Sequence, residues 1–151
     1  NSANAQTIQE RLLRQATGRS RPLVRAFLDL LSFAPDIPVQ VAHMASSGPG
    51  FVDPPAHSLL EVLADAVAKK DPRTRNLWFD VASNAHPQNP ADASELLVTM
   101  IRKIGVKRIL YGTDGAAGNN LRPHQSWHAF RQLALSEAEF KTIARNKAPY
   151  F

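Results

Sequence analysis

Cysteine is absent from all 151 residues. That excludes disulfides, thiol nucleophiles and sulfur-ligated zinc, so any metal must be held by His, Asp, Glu or water. Long apolar runs are absent as well. No stretch approaches the roughly 20 residues that cross a bilayer, and no charged n-region followed by an apolar h-region opens the chain. The expectation is a cytoplasmic protein without a membrane contact. The chain starts at Asn1 rather than Met, so a processed or partial polypeptide is expected. Acidic residues are fewer than basic ones, 13 against 18, for a formal net charge of +5. The excess is local: Arg11, Arg14, Arg19, Arg21 and Arg25 face only Glu10 in the first 25 residues, so +4 of the charge lies there. A nucleic-acid binder needs a basic face interleaved with aromatics, and none of these arginines has an aromatic neighbour before Phe27. No nucleic-acid partner is expected.

What is present is a core and a rhythm. Hydrophobic residues make up 44% of the chain, enough for one globular domain of this length. Gln6 to Thr17 has helical spacing and forms a lead-in over residues 1–20, closed by Gly18. Ser20 and Pro22 open a second helix with Leu23, Val24, Phe27, Leu28 and Leu31 on one side. It stops before Pro35. Ile37 to Met44 reads as a strand, followed by a Gly- and Pro-rich loop and a helix from Ser58 to Lys70. Leu77 to Ala82 is a second strand. Asp92 with Glu95 reads as a capping box for a helix ending at Gly105. Arg108 to Tyr111 is a third strand, and Gly112 to Asn120 is loop. Pro123 starts a helix to Leu133, and Ser136 with Glu139 caps a last one to Asn146. Alternating strands and helices imply a parallel sheet with helical crossovers.

Two strands end in residues that can do chemistry. Arg108-Ile-Leu-Tyr-Gly-Thr-Asp114 closes on a carboxylate, and Val39-Gln-Val-Ala-His43 closes on an imidazole. C-terminal strand ends are where parallel α/β folds place their sites. Each residue also has a plainer reading: Asp114 begins an Asp-Gly turn, and a histidine ending an apolar strand serves as a hydrogen-bonded core residue. Asp80, between Phe79 and Val81, needs a buried partner and reads as structural. Ser46 and Ser47 follow His43, and Ser83, Asn84 and His86 follow the second strand; Ser46 and His86 are the candidates from these loops for substrate contact. Arg122 is either a carboxylate grip or a helix-start surface residue. His57, His124 and His128 read as surface residues, and Trp78 and Trp127 as packing.

With these residues in place, the chain resembles the C-terminal half of the amidohydrolase-related metal-dependent hydrolases, which have a TIM-barrel fold. The resemblance spans nearly all of residues 21–151. Its carriers are Pro38-Val-Gln-Val-Ala-His-Met44, Leu77-Trp-Phe-Asp-Val-Ala82, Arg108-Ile-Leu-Tyr-Gly-Thr-Asp114, and the closing Leu133-Ala-Leu-Ser-Glu-Ala-Glu-Phe140 with Asn146-Lys-Ala-Pro-Tyr-Phe151. It implies an α/β chain forming part of a (β/α)8 barrel, strands 6 to 8 with their helices, as a single domain over 1–151. It implies that His43 is a metal-site histidine and Asp114 the strand-8 carboxylate that binds the metal or its water and moves a proton. The expected cofactor is a divalent ion, zinc for this donor chemistry with manganese as the alternative. The expected substrate is a small carboxylate-bearing compound, hydrolysed or decarboxylated without oxidation. The family's first-strand His-x-His pair and strand-5 histidine would lie upstream, since the first histidine here is His43. The expected partner is therefore the other half of the barrel or a second copy of the chain. The rival reading is a half-barrel scaffold without a complete metal site.

Overall fold

The computed structural model describes residues 22–47, 49–115 and 120–150. The lead-in helix expected over Gln6 to Thr17, with its arginines, lies outside them. Helix α1 covers 22–33. The rest of the chain follows as β1 (Val39–Val41), α2 (Pro54–Ala68), β2 (Leu77–Asp80), α3 (Ala91–Ile104), β3 (Ile109–Leu110), α4 (Pro123–Arg131) and α5 (Glu137–Arg145). The architecture is mixed α/β around a small parallel sheet of order β1-β2-β3. Val39 pairs with Leu77 and Val41 with Phe79; Phe79 then pairs with Ile109 and Asp80 with Leu110.

This register sorts side chains by face, because successive residues of a strand point to opposite sides. Val39, Val41, Leu77, Phe79 and Ile109 join the hydrophobic core together with Leu60, Leu63 and Val67 of α2 and Leu97, Val98 and Ile101 of α3. Phe79 and Ile109 are fully enclosed. Burying such side chains contributes roughly 1.5–3 kcal/mol each. The other face carries Gln40, Asp80 and Leu110 and lines an open cleft. Asn146, just past α5, donates to Val106 O and Ile109 O at 2.7 Å each, which anchors residues 146–150 beside that face. Among the described residues no helix is long and apolar enough to cross a membrane.

The strands are shorter than their apolar runs. The segment expected as strand from Ile37 to Met44 pairs only over Val39–Val41, and Ala42–Ala45 winds into a 3-10 turn. The reason is backbone geometry: His43, Met44 and Ala45 all have positive φ, which no strand can contain. Likewise β2 stops at Asp80, ahead of Ser83 at φ 56°. Helix α2 starts at Pro54, four residues before the expected Ser58, because Asp53 accepts from Ala56 N and supplies the cap. The Asp92–Glu95 capping box is not formed; Pro90 holds the N-cap position and Asp92 accepts from the adjacent Ala93 N. The Ser136–Glu139 box is formed, with both reciprocal bonds present. Gly105 ends α3 at φ 97°, as its position predicts.

Candidate functional site

The C-terminal ends of the three strands converge. His43 comes two residues after β1, Ala82 two after β2, and Asp114 four after β3. Gly112 permits the last approach: a Cβ on it would stand 3.2 Å from the Ala82 Cβ, tighter than ordinary contact. His43 Nε2 and Asp114 Oδ2 end 3.8 Å apart, each side chain about one-third exposed. Both line a cleft of about 810 Å³ on the open sheet face, shared with Asp80, Tyr111, Lys147 and Tyr150.

Left-handed backbone clusters at these strand ends. His43 (φ 51°), Met44 (45°), Ala45 (65°), Ser83 (56°) and Asp114 (49°) all adopt it without being glycine. Each such residue costs roughly 1 kcal/mol or more and persists only where its surroundings over-determine it. Here they do. The His43 N–H donates to Asp80 Oδ1 at 3.0 Å, and the His43 carbonyl accepts from Asn84 Nδ2 at 3.0 Å and from Ser46 N at 2.8 Å. Asp114 is braced by Asn120, whose Nδ2 donates to its carbonyl at 3.0 Å and to its Oδ2 at 2.5 Å.

The two expected metal-site residues are therefore brought together. The three expected substrate contacts are placed elsewhere, outside the cleft's lining. Ser46 has its Oγ 3.5 Å from Gly50 O. His86 accepts from Gln88 N at its own Nδ1, 3.2 Å away. Arg122 is exposed at the start of α4, and its N–H donates to Gln125 Oε1 at 3.1 Å. Asp80 is buried and fully partnered, in line with a structural role. His124 and His128 are exposed, whereas His57 is half-buried with its ring 4.2 Å from that of Phe51. Burial pushes the His57 pKa below its ordinary 6.5, against smaller opposing effects of the Phe51 backbone and Asp53. Trp127 is half-exposed, packed edge-on against Tyr111 at 5.1 Å.

Sequence reading did not single out Gln40, Lys147 and Tyr150 as cleft residues. For Gln40 a signal existed: it is the polar member of the alternating Val39-Gln40-Val41, the mark of a face not packed on helices. Lys147 and Tyr150 had none, because their place depends on Asn146 pinning the tail. The Tyr150 hydroxyl donates to Gln40 Oε1 across 110 residues of chain.

The donor chemistry fits part of a metal site. A tetrahedral ion about 2.1 Å from each of two ligands separates them by roughly 3.4 Å, close to the 3.8 Å between His43 and Asp114. Two donors are fewer than the three protein ligands of a catalytic zinc. Among the described residues no group of three or more His, Asp or Glu side chains is arranged to hold an ion. Comparison with protein-family models, curated proteins and solved structures finds no match to this chain.

Proposed function

We propose that this chain carries the strand 6 to 8 portion of a (β/α)8 barrel and part of the active site of a metal-dependent hydrolase or non-oxidative decarboxylase. The substrate class is a small carboxylate-bearing compound. The observation that carries the reading is the His43–Asp114 pair, 3.8 Å apart at the ends of two parallel strands and opening into one cleft. The left-handed backbone at both residues adds support, because strained conformations concentrate at working sites. His43 would offer Nε2 and Asp114 a carboxylate oxygen to a divalent ion, zinc or manganese. Such an ion, when bound, supplies an acidified water and a Lewis acid. Asp114 then serves as proton acceptor, 3.8 Å from the imidazole. Lys147, lining the same cleft, offers a cation for the substrate carboxylate. The remaining ligands would come from other polypeptide packed on the open sheet face.

The test is native mass spectrometry of the whole protein titrated with Zn²⁺ and Mn²⁺, beside His43→Ala and Asp114→Asn. About one ion per site, lost in both variants, and metal-dependent turnover of small carboxylate substrates are expected. Equal uptake by all three proteins would sink the proposal.

A second reading has its own observation. The pair supplies two donors, and β1 presents an open sheet edge among the described residues. Exposed edges favour pairing with another chain. A scaffold half-barrel would then show stable association in the same spectra with no ion retained.

A further inference from the structure

Among the described residues, the hydrogen bonds that hold His43 from outside its own turn come from the five consecutive residues 80–84 at the end of β2. Asp80 takes the His43 N–H at 3.0 Å and Asn84 gives its amide to the His43 carbonyl at 3.0 Å. Ala82 O lies 3.1 Å from the imidazole Nδ1, and Ser83 Oγ lies 3.3 Å from it. Asp80 and Asn84 are 5% and 0% exposed, so neither grip competes with water. Asp80 is itself fixed: Oδ1 also accepts from Ala82 N at 3.0 Å, and Oδ2 accepts from Gln40 Nε2 at 2.6 Å. One carboxylate oxygen thus binds the backbone of His43 and the backbone of the residue whose carbonyl meets the ring.

The ring chemistry follows. A carbonyl only accepts, so the closer partner of Nδ1 requires a proton on that nitrogen, and Ser83, able to donate or accept, adapts to it. In the neutral imidazole the lone pair then resides on Nε2. That atom faces Asp114 Oδ2 at 3.8 Å, too far for a hydrogen bond.

We propose that Asp80 is a positioning residue: through the His43 and Ala82 amides it holds His43 as the Nδ1–H tautomer, with the Nε2 lone pair presented to the cleft. A left-handed His43 would otherwise relax, because its backbone conformation is intrinsically unfavourable. The assignment rests on the proposed function only in making His43 a site residue. The tautomer is a property of the metal-free protein.

The experiment uses long-range ¹H–¹⁵N correlation spectra of the imidazoles in the metal-free, ¹⁵N-labelled protein, at about pH 9, where free imidazoles are neutral. His43 is assigned by the signals lost in His43→Gln. The wild type should show the Nδ1–H pattern. Asp80→Ala should lose it and give the averaged pattern of an unrestrained imidazole, while amide signals remote from the cleft stay in place. Asp80→Asn keeps an oxygen for both amides and should restore Nδ1–H. A wild-type Nε2–H pattern overturns the proposal without any variant. So does an unchanged pattern in Asp80→Ala. Should Asp80→Ala fail to fold, Asp80→Asn decides: retention of Nδ1–H supports the assignment, and its loss overturns it. Because no metal is present, failure here is separate from failure to bind an ion in the titrations above.

Discussion

Replacing Gly50 by alanine tests whether the loops around the cleft are locked together in the way the structure describes. Gly50 is buried, has φ +86°, and donates its N–H to Ser83 O at 2.8 Å. An alanine in a left-handed conformation costs about 1–2 kcal/mol. The added Cβ would also stand 2.6 Å from Asn89 Oδ1, a distance real contacts do not reach. Asn89 cannot yield without loss, because its Oδ1 accepts from Phe51 N at 3.1 Å and its Nδ2 donates to Asn84 O at 2.8 Å. Those two bonds contribute about 1 kcal/mol each. Gly50→Ala should therefore destabilise the protein by about 3–4 kcal/mol, and Asn89→Ala alone by about 2 kcal/mol. In the Asn89→Ala background the clash is gone, so Gly50→Ala should cost only the backbone penalty, about 1–2 kcal/mol. The coupling between the two sites is then about 2 kcal/mol. Urea unfolding of the four proteins measures it directly. Strict additivity, with coupling below about 0.5 kcal/mol, would refute the idea that Asn89 blocks a side chain at position 50.

Two further predictions concern pH. His57 has a pKa lowered from 6.5 chiefly by burial, so the unfolded chain takes up its proton first as pH falls. The stability it contributes is complete above about pH 6.5 and declines below it, down to the depressed folded-state value. His57→Phe, which keeps a ring against Phe51, should flatten a plot of stability against pH below about 6.5; an unchanged slope would mean His57 is not the group responsible. Glu139 is held down to about 2, first by the Arg102 guanidinium at 2.8 and 3.0 Å and then by the Ser136 backbone. Its contribution is present above about pH 4.5 and lost as pH falls toward 2. Arg102 is half-exposed, so solvent screening keeps this contribution small. Glu139→Gln should remove that part of the acid-denaturation slope, measured by the urea midpoint at each pH, and equal slopes in both proteins would contradict it.

Local rules carried as far as nearest-neighbour chemistry reaches. Ser136 and Glu139 are three apart, so their reciprocal cap could be read from the chain and is present. Gly105 was legible for the same reason: a positive φ after an apolar helix needs no distant partner. Three short apolar runs separated by helical segments were enough for three parallel strands, because successive strands joined through helices pair in parallel. Strand ends were not legible. Nothing local makes His43, Met44 and Ala45 left-handed; Asp80 and Asn84, about 40 residues away, hold the turn. The Asp92–Glu95 box failed because Pro90 sets the helix entry ahead of it.

The candidate site divides along the same line. By itself the sequence determined which groups can do chemistry, and that His43 and Asp114 follow apolar strands of one parallel sheet. Composition settles which ligands exist, and the succession of strands and helices settles the order of the elements. Only the tertiary structure decided that the two side chains meet at 3.8 Å, that Arg122, Ser46 and His86 stand outside the cleft, and that Lys147 and Tyr150 line it. Those outcomes depend on register between β1, β2 and β3 and on the anchoring of residues 146–150 by Asn146. Register and anchoring are set by hydrogen bonds between residues about thirty to forty positions apart, and no local pattern in the chain specifies such pairings.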